Sequence, residues 1–229
     1  MKQSAGRSLF GIAAIGFGIC ALAWHTYAGW QPIKPFADLP HGAVITDIVG
    51  CIQIVAGIAV QWPASARAGG AVLGAIYLAF ALSGVSLIIA QPLVYNGFGN
   101  FFEQLSFVST ALILFARSRR LARFGYYTFG VCVLSFALEQ LFYLSQTANL
   151  VPSWIPPSQM FWAIATTVAF GAAAVALLTG LRALLASGLT AAMVLIFGVL
   201  VWMPALVADP HRFFRWSESF ETLGIAASA

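Results

Sequence analysis

Four ionisable side chains stand inside long apolar runs: His25, Asp47, Glu103 and Glu139. Charge in such surroundings is costly, and in a membrane it marks functional suspects by default. Gln53, Gln104 and Gln140 accompany them. His25 and Glu139 come late in two related apolar runs, and a His–Glu pair in low dielectric can relay a proton or hold a polar head group. Each residue can instead hydrogen-bond an interfacial group and anchor its helix end. Asp47 lies one helical turn before Cys51, and His41 precedes it. His25, His41 and Asp47 together match no familiar metal-ligand spacing, so no metal site is expected. A carboxylate near a helix start also suits the helix dipole. These residues form a candidate polar pocket: His25, Asp47, Glu103 and Glu139.

No familiar catalytic motif accompanies them. The chain has no Gly-rich phosphate loop, HExxH, CxxCH or serine nucleophile elbow. Whether it is an enzyme is left open. Cys20, Cys51 and Cys132 all fall in apolar runs without a CxxC pair, which reads as small buried hydrophobes. A Cys20–Cys51 redox pair is the lesser reading. No cofactor is evident from the residues.

The elements that position these groups follow from composition. Hydrophobic residues make up 61% of the 229 and charged residues only 8%. Mean hydropathy is +0.90. A soluble exterior must be wetted, and a soluble domain carries about 25% charge. Backbone groups in lipid must pair internally, leaving helices or a closed barrel. Barrel strands alternate apolar and polar over about ten residues. Here the apolar runs are continuous and of helix length. The fold class is therefore an all-α, polytopic membrane protein. Segments are expected at 8–29, 44–62, 69–91, 101–116, 123–145, 160–180, 183–204 and 213–229, which makes eight transmembrane helices. The fourth and eighth are the shortest, and the eighth carries Glu218 and Glu221.

The net charge of +4 does not point to nucleic acid, because the basic residues punctuate the apolar runs. Of eleven Lys and Arg, one side collects Lys2, Arg7, Arg67, Arg117, Arg119, Arg120, Arg123 and Arg182. The other collects Lys34, Arg212 and Arg215. Positive loops stay in the cytoplasm, so both termini are expected there and the candidate pocket opens outward. The Arg117–Arg123 cluster reads as topology and anionic-lipid contact, with partner docking as the lesser reading. Tryptophans such as Trp24, Trp62, Trp154 and Trp202 sit near the segment ends, as interfacial rings do. Lys2 and Arg7 before an apolar run ending near Ala21-Leu22-Ala23 also fit a signal peptide, but the run continues to Gly29 and has a later counterpart.

That counterpart belongs to a repeat. Phe10-Gly11 followed by Gly16 matches Phe124-Gly125 followed by Gly130. Arg67-Ala68 matches Arg182-Ala183, and Asn100-Phe101-Phe102-Glu103 matches Arg212-Phe213-Phe214-Arg215. The domains are therefore residues 1–116 and 117–229, with the basic linker 117–123 opening the second. An even number of helices per copy inserts both copies the same way, giving two tandem four-helix bundles with parallel pseudo-twofold symmetry. An interfacial salt bridge between Glu103 and Arg215 is expected. Gly70 and Gly74 form GxxxG, which serves internal packing or a homodimer face.

The second half carries Phe124-Gly125, Ala148-Asn149-Leu150-Val151-Pro152-Ser153-Trp154-Ile155-Pro156, Phe161-Trp162-Ala163 and Leu177-Leu178-Thr179-Gly180, then Met193 to Phe197 and Pro204. In these it resembles the DoxX-like family of small bacterial integral membrane proteins, with the first half a more diverged copy. The resemblance implies a four-helix bundle per copy in the bacterial inner membrane. It implies kinship with membrane subunits of sulfur- or quinone-linked oxidoreductases and of oxidative-stress complexes, and so a quinone and a partner subunit. The family's histidine late in the first helix is matched by His25, while Glu139 departs from it. Three functional expectations follow: a membrane subunit or accessory of a redox- or stress-linked complex, a small-molecule transporter or channel, and a ligand-free scaffold.

Overall fold

A computed structural model gives the architecture and describes residues 2–27 and 39–229. Lys34 and Trp30, invoked above for topology, lie outside the described residues. The described chain is all-helical, with nine helices. They are α1 (Lys2–Trp24), α2 (Gly42–Gln61), α3 (Ala66–Ala90), α4 (Asn96–Phe115), α5 (Arg119–Phe142), α6 (Leu144–Leu150), α7 (Gln159–Thr179), α8 (Ala183–Ala208) and α9 (Phe213–Ser228). Seven of them supply apolar stretches of 20 to 26 residues, long enough to cross a bilayer. The protein is a multi-pass membrane protein. Helix α9 is 16 residues long, carries Arg215, Glu218 and Glu221, and is not among the seven.

Local chemistry sets the boundaries. Ser118 Oγ accepts from Leu121 N–H at 3.2 Å and opens α5, and Ser158 Oγ does the same for Phe161 at the start of α7. Gly180, at φ 75°, closes α7 in the left-handed conformation that glycine adopts without strain. His25 takes the same region at φ 52° just beyond α1. Within α8, Gly198–Trp202 forms a π-helical turn ahead of Pro204, whose missing N–H breaks the regular ladder.

Each long helix packs on the next: α1 on α2, α2 on α3, α3 on α4, α4 on α5, α5 on α7, α7 on α8 and α8 on α9. Helix α9 then returns to α1 and also touches α4, which closes the series. Two apolar clusters result. One joins Phe10, Phe17, Leu73, Tyr77, Phe80, Phe107 and Phe213; the other joins Phe129, Val133, Phe136, Phe170, Leu177, Val194 and Ala226. Helix α9 enters both.

Burial runs inward, as lipid requires. Half of the α4 span is buried but only 17% of the α8 span, whose Leu184, Leu189, Ile196 and Val207 are exposed. The tightest seam joins α1 to α2. A Cβ on Gly11 would stand 2.6 Å from the Gly57 carbonyl oxygen, and one on Gly18 would stand 2.5 Å from that of Gly50. Gly57 and Gly50 face Gly11 and Gly18 in return. Bare Cα atoms let these two backbones touch. Gly70 and Gly74 serve internal packing: their Cβ positions lie 3.0 Å from the Cβ atoms of Leu114 and Ala111 on α4.

Candidate functional site

The four sequence-derived candidates form two groups. His25 Nδ1 lies 2.8 Å from Asp47 Oδ1 and 3.0 Å from Oδ2. The pair joins the end of α1 to the first turns of α2, and both side chains are well exposed. It lies at the end of the bundle opposite the Arg117–Arg123 linker. His25 therefore pairs with Asp47, within the first half, and the expected pairing with Glu139 is not observed. Beneath the pair, Tyr27 donates to Gln53 Oε1 at 2.5 Å, and the buried Gln53 Nε2 has no hydrogen-bond partner.

The second group lies where α4, α5 and α9 meet. Glu103 of α4 and Glu221 of α9 approach each other, carboxyl to carboxyl. Glu139 of α5 stands within electrostatic reach of Glu103 and of Glu218, and Glu218 within reach of Glu103 and Arg215. Four carboxyls from three helices thus converge with one arginine beside them. Glu221 is buried, and the other three carboxylic acids are partly buried. Among the described residues no ion pair joins Glu103 to Arg215. Arg215 instead lies one turn from Glu218 on its own helix, because α9 turns Glu221 rather than Arg215 toward Glu103.

Glycines make the convergence sterically feasible. The Glu139 carboxyl occupies the volume in which a Cβ on Gly99 would stand. Gly16 makes the same room for the Phe220 ring, and Gly224 for the Phe107 ring. The register of α4 on α5 is clasped one turn away. Tyr95 Oη and Ser135 Oγ are 3.0 Å apart, and Asn96 N–H donates to Tyr143 Oη at 3.2 Å. Burial pushes the Tyr95 phenol up, so it stays neutral in this clasp.

Helices α4 and α9 run parallel. Glu103 meets Glu221, Phe107 meets Gly224, and Thr110 Oγ1 donates to Ser228 Oγ at 2.6 Å, so the numbers rise together. Past the glutamates this seam is lined by Ser106, Ser109, Thr110 and Ser228, all buried. Their hydroxyls bond carbonyls of their own helices: Ser106 to Glu103, Ser109 to Ser106 and Ser228 to Gly224. Near Glu103 on α4, Gln104 buries both amide atoms without a partner, and Asn100 buries its Nδ2 likewise. An unsatisfied buried polar group costs about 1–3 kcal/mol.

Sequence reasoning placed Glu103 and Glu139 among the candidates but left out Glu218 and Glu221. The available signal was the charge itself, acidic residues in a segment that still has to bury one face. Cys20 and Cys132 are buried, Cys51 is exposed on α2, and all three are free thiols. Among the described residues, no group of three or more His, Cys, Asp and Glu is set to hold a metal ion. A cleft of about 250 Å³ opens between α2 and α3 over Tyr27, Thr46, Ile76 and Phe80. No family model matches this chain, and neither a curated protein nor a solved structure is significantly similar to it.

Proposed function

We propose that this chain is a DoxX-like membrane subunit or accessory of a redox- or stress-linked complex. In this reading it presents a proton-holding carboxyl centre to a small ligand at the outer side of a bacterial inner membrane. The observation that carries the reading is the approach of Glu103 to Glu221, carboxyl to carboxyl, where α4 meets α9. Two carboxyls bond each other only when one of them keeps a proton. Reduction of a quinone-like ligand takes up protons along with electrons, and oxidation of a thiol releases them, so a group that can hold a proton beside the ligand is what that chemistry needs. The partnerless amides of Gln104 and Asn100 add polar capacity near Glu103 on the same helix.

The architecture in this reading is eight helices in two related four-helix halves. Its support is the pairing pattern: α4 on α5 corresponds to α9 on α1, and the parallel α4–α9 contact lies between them. A parallel repeat requires such correspondence. Both termini and the Arg117–Arg123 linker then face the cytoplasm.

The test is what the purified protein carries. Wild type and the Glu103→Gln/Glu221→Gln variant are isolated in mild detergent, and bound small molecules and proteins are identified by mass spectrometry and absorbance. A quinone, thiol or partner subunit present in wild type and lost from the variant supports the reading. Identical preparations with nothing bound sink it.

A second reading, proton or cation transport, is favoured by one observation: the buried hydroxyl row that continues from the glutamates along the α4–α9 seam. Proton flux into vesicles separates the two. Flux that depends on Glu221 and Thr110 favours transport; vesicles no leakier than empty ones favour the subunit reading.

A further inference from the structure

The carboxyl centre is built across the two halves, and its α5 member depends on a residue of α4 that carries no functional group. Glu139 lies near the end of α5, where a flexible acid would ordinarily reach for the aqueous edge of the membrane. It turns inward instead, and its carboxyl rests on the bare Cα of Gly99. A Cβ there would fall far inside van der Waals contact with the carboxyl atoms, so no other residue at position 99 tolerates this placement. The two helices cannot slide to make room. The Tyr95–Ser135 and Asn96–Tyr143 contacts hold their register on the near side. On the far side, a Cβ on Gly125 would already stand 2.9 Å from the Ser109 carbonyl oxygen.

We infer that Gly99 is a positioning residue for the carboxyl centre: it seats Glu139 against Glu103 and Glu218, and any side chain there turns Glu139 out toward the membrane edge. The inference deepens the reading of this centre as a proton-holding site. The groups facing Glu139 are Glu103 on α4 and Glu218 on α9, with Arg215 beyond Glu218 and the Tyr95 phenol at the start of α4. Only Arg215 among them is basic. Seated among acids, Glu139 is shielded from water. Turned outward, it becomes an exposed carboxylate at the membrane edge.

Carbodiimide labelling tests this on the full chain in detergent. An apolar carbodiimide modifies protonated carboxyls shielded from water, whereas a water-soluble one with an added amine modifies exposed carboxyls. The ratio of the two at Glu139, mapped by mass spectrometry, reports its seat. In Gly99→Ala the ratio falls roughly tenfold, about the effect of one unit in protonation equilibrium. Gly97→Ala, whose Cβ would meet only Ile88 at 3.3 Å, leaves the ratio at the wild-type value. Glu139→Asp adds no atom, so it tests the seat even where Gly99→Ala folds poorly. Its shorter arm leaves the seat, and the ratio at position 139 falls as well.

A ratio unchanged in both Gly99→Ala and Glu139→Asp overturns the inference. So does a wild-type Glu139 labelled mainly by the water-soluble reagent. Failure of the ligand reading looks different: nothing is bound in wild type, while the ratio still responds to Gly99→Ala.

Discussion

Glu103 and Glu221 approach each other where α4 and α9 meet, so the interior of this membrane protein brings carboxyl to carboxyl rather than carboxyl to arginine. Carboxyls gathered in one place repel one another once they ionise. Stability therefore falls as pH rises and the cluster loses protons. The detergent melting temperature of wild type is expected to drop from mildly acidic to mildly alkaline pH, through mutual repulsion of Glu103, Glu139, Glu218 and Glu221. Glu103→Gln and Glu221→Gln flatten that slope. Equal slopes in all three proteins would show that the pair does not set the pH dependence.

The α1–α2 seam makes a sharp steric prediction. Gly18→Ala and Gly50→Ala push a methyl group against backbone, at 2.5 Å and 3.0 Å from the facing carbonyl oxygens. Overpacking of this kind costs about 1–3 kcal/mol. Gly171→Ala places its methyl group where nothing lies within 4 Å, and should stabilise α7 by up to about 1 kcal/mol through helix propensity. Melting curves in one detergent rank the three; a Gly18→Ala protein as stable as wild type would refute the seam.

His25 carries two opposing effects. Its exposed pair with Asp47 is worth about 1 kcal/mol or less, and its left-handed backbone costs about 1 kcal/mol or more. His25→Gly should therefore match or exceed wild type in stability, while His25→Ala should fall below His25→Gly. A His25→Gly protein less stable than wild type would mean that the contact with Asp47 outweighs the strain.

The cysteines give an inexpensive check on which faces are covered. A membrane-permeant maleimide should modify Cys51 in the folded protein and reach Cys20 and Cys132 only after denaturation. Intact mass reads the count directly. Two or three adducts before unfolding would place α1 or α5 differently. An oxidant should leave no Cys20–Cys51 disulfide, because one thiol is turned inward and the other outward.

Helix positions were largely legible in the sequence because lipid enforces length. The segment expected at 160–180 is Gln159–Thr179, and the one expected from 213 starts at Phe213. Which helices sit centrally was not legible. Residues 96–115 and 213–228 looked the poorest as spans, the second because of Glu218 and Glu221, yet they form the crossing that holds the site. Hydropathy asks whether a helix suits lipid, and a helix enclosed by other helices does not have to. The glycine seam escaped for a related reason: its residues recur at seven-residue spacing on two separate helices, and only their facing gives them meaning. The pairing of His25 with Glu139 rested on equivalence between the halves. Equivalent positions need not approach when each has a nearer partner, Asp47 for one and the Gly99 seat for the other.

The return of α9 to α1 bears on how the protein is made. Phe213 packs on Trp24, Phe220 on Phe17, and Gly6 lies against Ala227, so α9, made after α1 to α8, docks back on α1. Until it arrives, α1 and α4 present to the surrounding bilayer a furrow holding Gly16, Phe107 and Glu103. Assembly of the carboxyl centre thus waits for α9, and a nascent chain stalled before Phe213 would offer quality-control proteases an unsheltered acid within the membrane.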